Sequence, residues 1–318
     1  MKQLSAVMFV AAAVMAGCQP KAAQSGATTP APPALPVSAA PTPAPVPTAS
    51  GDHTGTVEQR LARIEDQLAQ SAEALVFLRK VYEAQKAQQQ AADRDESAED
   101  AMYAVNVADA VKAGQVDGPA TAAVTIVKAF DFACPYCQST VEPMRELVAE
   151  NKGKVRVVYM NLVVHAPARP AHLASCAAAR QGKYKEFKDA FWTKGFEPYA
   201  QRHDPSLLGE DNIAAIAKGV GLDVGKLKAD MKSPACEARI TADMAELQKF
   251  HVDATPTFFI NGHLVAGARP KEDFQHEVDD ALKQVTASGV PAAQYYDKVV
   301  LAKGEKAFRS KMDPKPGS

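Results

Sequence analysis

The sequence predicts an α/β fold, a central sheet covered by helices with a helical segment inserted between its two halves. Three observations carry that prediction. Residues 124–130 read V-T-I-V-K-A-F, an apolar, β-branched run of the kind found in strands buried on both faces. The run leads into Cys134-Pro135-Tyr136-Cys137, after which Val141, Met144, Leu147 and Val148 recur at helical spacing, so the two cysteines stand where a strand hands over to a helix. Residues 252–264 read V-D-A-T-P-T-F-F-I-N-G-H-L, a strand, an Asn-Gly hairpin turn and a second strand.

The placement of the cysteines has chemical content. Cys134 falls at a helix N-terminus, where unpaired backbone N–H groups and the helix dipole favour negative charge. In such settings a thiol pKa falls to ~3.5–7.5. Pro135 suits the first helical turn because it has no N–H to leave unpaired. Cys137 lies one turn on, placed to close a small disulfide with Cys134 or to attack a mixed disulfide formed there. A pair of this kind exchanges disulfides with other proteins. The same four residues can also be read as half of a zinc site or as a purely structural disulfide; no second C-x-x-C and no H-x3-H accompanies them. Pro256, directly ahead of a strand, is a favourable place for a cis peptide bond.

In order and content these motifs, D-F-x-C-P-Y-C early and T-P-T-F-F-I-N-G late, resemble the thioredoxin superfamily and, given the long helical insert between them, its DsbA-like branch. The resemblance covers roughly residues 101–301 and implies a thioredoxin fold with a helical insert at about 170–250, in a domain over residues 101–309. It implies that Cys134 is the attacking cysteine, Cys137 the resolving one, Pro256 a cis-proline beside them and Thr255 a contact for the substrate backbone. It also implies that Pro135, Tyr136 and Thr255 tune the redox potential. One position departs from the pattern. Related proteins usually carry an acidic residue six positions before the first cysteine, buried under the resolving cysteine as a proton acceptor; here Lys128 stands there. A lysine whose pKa is lowered by burial can still move protons, whereas one that points to solvent does nothing for the site.

The rest of the chain is organised around this domain. Its 318 residues carry a net charge of −1, which offers nothing to a nucleic acid or an anionic surface. Residues 1–18 read as an export segment: Lys2, then an apolar run at residues 4–15 too short to span a bilayer, then Met15-Ala16-Gly17-Cys18. The last four residues resemble a bacterial lipoprotein lipobox, with Met15 in place of the commoner Leu. By that resemblance Cys18 carries the lipid, the only membrane attachment, and Gln19 directs the protein to the outer membrane, facing the periplasm. An ordinary secretory cleavage site with an incidental cysteine is the other reading. Residues 19–55 are a Pro/Ala-rich linker with too few large apolar residues to form a core. In residues 56–92, Val57, Leu61, Ile64, Leu68, Ser71, Leu75, Leu78 and Tyr82 alternate steps of four and three, a heptad seam without Pro or Gly. The seam predicts a short coiled coil, hence a homo-oligomer, or a single amphipathic helix packed on its own domain.

Within the domain, residues 154–164 read as a second strand, parallel to the first through a right-handed crossover. Pro143 predicts a kink in the active-site helix. Helical patterns follow at residues 173–182, 184–192, 212–220, 224–231 and 235–250, and again at 271–284 and 291–308. Phe191, Trp192, Phe196 and Tyr199 cluster in the insert, as a peptide groove or as helix core. With Cys18 lipidated, four cysteines remain, and Cys176 and Cys236 are expected to form a structural disulfide in an oxidising compartment.

The expectation is an exported, lipid-anchored thiol–disulfide oxidoreductase that needs no metal or organic cofactor. As a dithiol oxidase it acts on exported proteins with cysteines and is itself re-oxidised by a membrane redox partner. Thr255 is common in isomerases and reductases of the superfamily, so a disulfide isomerase or reductase oligomerised through residues 57–89 is the alternative. A non-catalytic envelope scaffold is a third reading.

Overall fold

The structure, a computed structural model, describes residues 54–315. The export segment, Cys18 and nearly all of the linker lie outside the described residues. The chain divides into two units after Ala72, and each is taken by itself.

The described part of the first unit is the start of helix α1 (Val57–Asp95), which runs 39 residues through the division. A capping box starts it: Gln59 N–H donates to Thr56 Oγ1 at 3.4 Å, and Thr56 N–H donates to Gln59 Oε1 at 3.1 Å. No residue of α1 is buried. Among the described residues, ten of the thirteen large apolar side chains left exposed lie on this one helix, seven of them on the heptad seam.

In the second unit, chain order after α1 is α2 (Ala108–Lys112), β1 (Val116–Asp117), β2 (Val124–Phe130), α3 (Pro135–Ser139), α4 (Val141–Glu150) and β3 (Val155–Asn161). The insert follows: α5 (Arg169–Arg180), α6 (Tyr184–Phe191), a π-helical turn over Trp192–Phe196, α7 (Glu197–Arg202), α8 (Glu210–Gly219), α9 (Val224–Met231) and α10 (Pro234–Gln248). The chain then returns to the sheet with β4 (Thr257–Ile260) and β5 (His263–Ala266), and ends in α11 (Lys271–Ser288) and α12 (Ala292–Tyr295), the last running into a π-helical stretch, Tyr296–Leu301. Sheet order is β1-β3-β2-β4-β5, with β2 and β3 parallel and the other pairs antiparallel. This is a thioredoxin-type sheet.

Strand β2 is buried at all seven positions because both faces are covered. Val124, Ile126 and Phe130 join Met144 and Leu147 of α4 and Phe274 and Val278 of α11. Val127 and Ala129 join Tyr103, Phe250, Tyr295 and Tyr296 on the other side. The hairpin between β4 and β5 turns at Asn261 (φ 45°) and Gly262 (φ 90°), the left-handed pair that an Asn-Gly turn supplies. Asn261 also stitches this turn to the start of β2: its Oδ1 accepts Thr125 N–H at 2.9 Å and its Nδ2 donates to the Ala123 carbonyl at 3.2 Å.

Several expectations shift in detail. The β3 strand stops at Asn161, where Asp243 captures both the backbone N–H (3.1 Å) and the side-chain amide (2.6 Å) of that residue. The last helix stops at Leu301 rather than running to residue 308, because Gly304 closes against Val300 and the tail then pairs with residues 102–104. Helix α1 runs three residues past the expected 92, where Lys311 binds Asp93 at 2.8 Å and also pairs with Glu96. The aromatic cluster of the insert is core. Phe191 and Trp192 pack edge-on and tilted against Phe132, with ring centres at 4.9 and 5.3 Å, and Phe196 packs on Trp192 at 5.5 Å. Tyr199 is half-buried beside Phe196. Cys176 of α5 and Cys236 of α10 are bonded, S–S 2.07 Å, and tie the two ends of the insert together.

Candidate active site

Cys134 takes an extended conformation (φ −91°, ψ 119°) directly before α3, and Pro135 occupies the first helical position. The chain therefore leaves β2, turns through Asp131–Ala133 and enters a helix whose first free N–H groups surround the Cys134 sulfur. Pro143 has no N–H to offer the Ser139 carbonyl one turn back. The helix accordingly breaks at Thr140 (φ −97°, ψ 6°), and Thr140 Oγ1 donates to the Cys137 carbonyl at 2.9 Å. Cys134 and Cys137 are free thiols, 3% and 0% exposed.

The two thiols are electrostatically unlike. Cys134 is held down to about 5, first by its hydrogen bond with the Cys137 thiol and, against the opposing effect of burial, by the Thr255 side chain and the backbone N–H groups of Cys137 and Tyr136. Cys137 is pushed strongly up, first by burial and then by its hydrogen bond with Cys134, with the Lys128 charge pulling the other way. The Cys134 thiol also reaches the Thr255 carbonyl at 3.3 Å, and the Thr255–Pro256 peptide is cis. The two distant motifs of the sequence, C-P-Y-C and T-P, therefore meet at one sulfur.

Lys128 is fully enclosed in the sheet core and does not reach solvent (1% exposed). Its Nζ donates to the Cys137 carbonyl at 3.2 Å and stands 5.8 Å above the Phe258 ring. Burial lowers it to about 8, with the Cys137 charge pulling the other way.

Asp131 is a site residue that the sequence reading missed. It is buried, accepts the N–H groups of Ala133, Val164 and His165 at 2.7 Å each, and its own N–H points to Cys137 Sγ at 3.5 Å. Burial works to raise it, yet it ends below the ordinary carboxylate range through His172 and the His165 and Ala133 amides. His165 is half-exposed with Nδ1 3.3 Å from this carboxylate. His172 is buried behind it: Nε2 accepts Phe132 N–H at 3.3 Å, and Nδ1 lies 2.8 Å from Asn161 Oδ1. The carboxylate thus ties the loop before Cys134 to the end of β3. The signal available in the sequence was the D-F pair itself, an acidic residue inside an otherwise apolar run.

Tyr136 is 67% exposed and Val164 47%. A groove of about 570 Å³ is lined by apolar Leu162, Val164 and Met244 and by polar Arg169, Gln248 and Asp253.

Comparison with known proteins places these features in context. A family model described as thioredoxin matches residues 110–280. A probable disulfide bond formation protein D of Bacillus cereus is 31% identical over 179 residues, covering 54% of this chain and 78% of that protein. The Na(+)/H(+) antiporter NhaA of Herminiimonas arsenicoxydans is 32% identical over 153 residues, 48% of this chain, and the chain spans 23% of the antiporter's length. A thioredoxin-like oxidoreductase from Silicibacter pomeroyi superposes with a TM-score of 0.44 at 32% identity, over 53% of this chain and 91% of that one.

Proposed function

This chain belongs to the thioredoxin family, and on that premise we propose that it is a thiol–disulfide oxidoreductase of the DsbA-like kind, working as a dithiol oxidase on exported proteins. A substrate thiolate attacks Cys134 Sγ in the Cys134–Cys137 disulfide. The new bond joins the substrate sulfur to Cys134, and the electron pair of the broken bond leaves on Cys137 Sγ, which takes up a proton. A second substrate thiolate then attacks the first substrate sulfur, closes the substrate disulfide and expels Cys134 as a thiolate. Stabilising that thiolate makes Cys134 the better leaving group and the reduced enzyme the favoured product.

The observation that carries this reading is the contrast between the two cysteines, Cys134 low at a helix start and Cys137 high and enclosed. Thr255 presents a backbone carbonyl beside Cys134, and Tyr136 and Val164 offer exposed apolar side chains to an unfolded chain. The Cys176–Cys236 bond suits an oxidising compartment. Attachment through lipid at Cys18 and re-oxidation by a membrane partner complete the proposal from the sequence. No described helix is long and apolar enough to cross a membrane.

The oxidised protein mixed with a peptide carrying two reduced cysteines tests it. The peptide becomes disulfide-bonded with the wild type and stays reduced with Cys134→Ser or Cys137→Ser, neither of which can hold the internal disulfide. A wild type that leaves the peptide reduced contradicts the reading.

One observation favours the isomerase or reductase alternative: the exposed apolar seam of α1, from Val57 to Tyr82, is the kind of face that assembles several copies. On that alternative, deletion of residues 57–89 abolishes reshuffling of a scrambled substrate and lowers the mass measured by light scattering, while dithiol oxidation survives. An unchanged number of subunits rules it out.

A further inference from the structure

A buried lysine needs a counter-charge, and the surroundings of Lys128 supply only one that is free. Among the described residues no carboxylate forms an ion pair with it. Asp117 on β1 acts on it by charge, and that carboxylate is already held by Lys185 at 2.9 Å and Lys188 at 3.2 Å; the carboxylate of Asp131, whose N–H faces Cys137, is taken up by the Ala133, Val164 and His165 amides. Lys188, on α6, adds a second positive charge that makes a cation at Lys128 harder to hold. The neighbouring strands bring Tyr159 from β3, whose hydroxyl donates to Asp117 at 2.9 Å, and Phe258 from β4. Helix α4 and α11 bring Met144, Leu147 and Phe274, which carry no charge. What remains is α3, with Cys137, whose carbonyl the amine binds, and Cys134. These sulfurs bear negative charge only when the disulfide is open.

We propose that Lys128 is the counter-charge of the redox centre, its side-chain amine taking up a proton when the Cys134–Cys137 disulfide is reduced and releasing it when the disulfide closes. The inference rests on the thiol–disulfide reading of the site. Reduction by two glutathione molecules balances as follows. The two thiols supply two electrons and two protons and become glutathione disulfide. The electrons open the Cys134–Cys137 bond, one proton goes to Cys137 Sγ, the other to Lys128 Nζ, and Cys134 stays a thiolate. No proton is released to solvent. Without the amine the same reaction releases one. An acidic residue at this place can take up the proton but cannot be the counter-charge, because its ionised form repels the thiolate, whereas the ammonium attracts it. Lys128 acts through the cysteines and is a positioning residue.

The test is the pH dependence of the equilibrium with glutathione for the wild type and Lys128→Met. A group lowered to about 8 in the reduced protein is mostly protonated at pH 7 and half so at pH 8. The wild-type constant for reduction therefore rises less than about twofold between about pH 7 and 8, while that of Lys128→Met rises about tenfold, one released proton per reduction. Lys128→Met is also the harder to reduce at pH 7, and its Cys134 thiolate, followed by ultraviolet absorbance, titrates higher. In the wild type, the Lys128 side-chain carbon resonances report a neutral amine in the oxidised protein and an ammonium in the reduced one, a readout that stands if Lys128→Met does not fold. Normal exchange with the same tenfold slope in both proteins overturns the inference and leaves the function intact, as does a lysine charged in both redox states. A protein that does not exchange with glutathione at all overturns the function reading and this inference with it.

Discussion

The body around the sheet and helix α1 treat apolar side chains in opposite ways. Phe130, Phe132, Met144 and Leu147 of the body expose at most 1% of their surface, whereas Leu61, Ile64, Leu68 and Leu75 of α1 expose between 51% and 58%. In the body, every strand residue of β2 has a layer on either side, and even a lysine and a carboxylate are taken inside, where hydrogen bonds satisfy them. The helix has good local signals, a capping box and no Pro or Gly, yet nothing covers its seam among the described residues. The lesson is that one part is finished by its own packing, while the other keeps an apolar seam uncovered among the described residues.

This contrast can be broken by mutation. The largest effect belongs to the site: Cys134→Ser removes dithiol oxidation altogether, while removal of residues 57–89 leaves the rate per active site within about twofold, both measured with a two-cysteine peptide. Next comes the core. Leu147→Ala and Phe132→Ala each cost roughly 2–5 kcal/mol in denaturant unfolding, against under ~0.5 kcal/mol for Leu68→Ala in the monomer, whose effect is read instead in the mass of the assembly. If Leu68→Ala costs as much as the core changes at a concentration where the chain is monomeric, the seam has a partner within its own chain.

The bridge between α5 and α10 sharpens the comparison from the side of the insert. It closes a loop of 60 residues, so Cys176→Ala with Cys236→Ala costs about 4 kcal/mol by the chain-entropy estimate. The loss is read as a lower unfolding midpoint with peptide oxidation retained below it. Loss of activity without loss of stability contradicts a structural role.

A further comparison concerns pH and redox state together. Cys134 is lowered in the folded reduced protein to about 5 from about 9. Its contribution to the stability of the reduced form is complete above pH 9 and is lost as pH falls through 5. The oxidised form has no thiol there, so in Lys128→Met, where no buried amine takes up the compensating proton, the stability of the reduced form relative to the oxidised one shrinks steadily as pH falls from about 9 toward the Cys134 pKa. Parallel unfolding curves for the two forms of that variant contradict the assignment of the low thiol to Cys134.

Much of this was legible in the sequence, for identifiable reasons. The β-branched run of β2, the cysteine pair at a helix start, the Asn-Gly turn and the heptad seam are all local patterns, and local patterns fix elements. The bond between Cys176 and Cys236 followed from counting cysteines. Asp131 escaped because its role depends on three amides brought together by the end of β3, contacts that no spacing within the D-F-A-C stretch announces. Lys128 was visible as a departure but not as a buried group, since a lysine inside an apolar strand reads the same whether it points inward or out. The end of β3 was overrun because residues 162–164 are apolar, and only the capture of Asn161 by Asp243 shows why the strand stops. The last helix was overrun for a similar reason, its stop being set by contacts of Gly304 with residues far back in the chain.

The central claim is that a stabilised Cys134 thiolate makes this disulfide an oxidant. The measurement that meets it most directly is the equilibrium reduction potential of the Cys134–Cys137 pair against glutathione. The account predicts a value toward ~−120 mV, the strongly oxidising end of the known range. A value near ~−270 mV, the reducing end, contradicts it and transfers the argument to a reductase or isomerase working through the seam of α1.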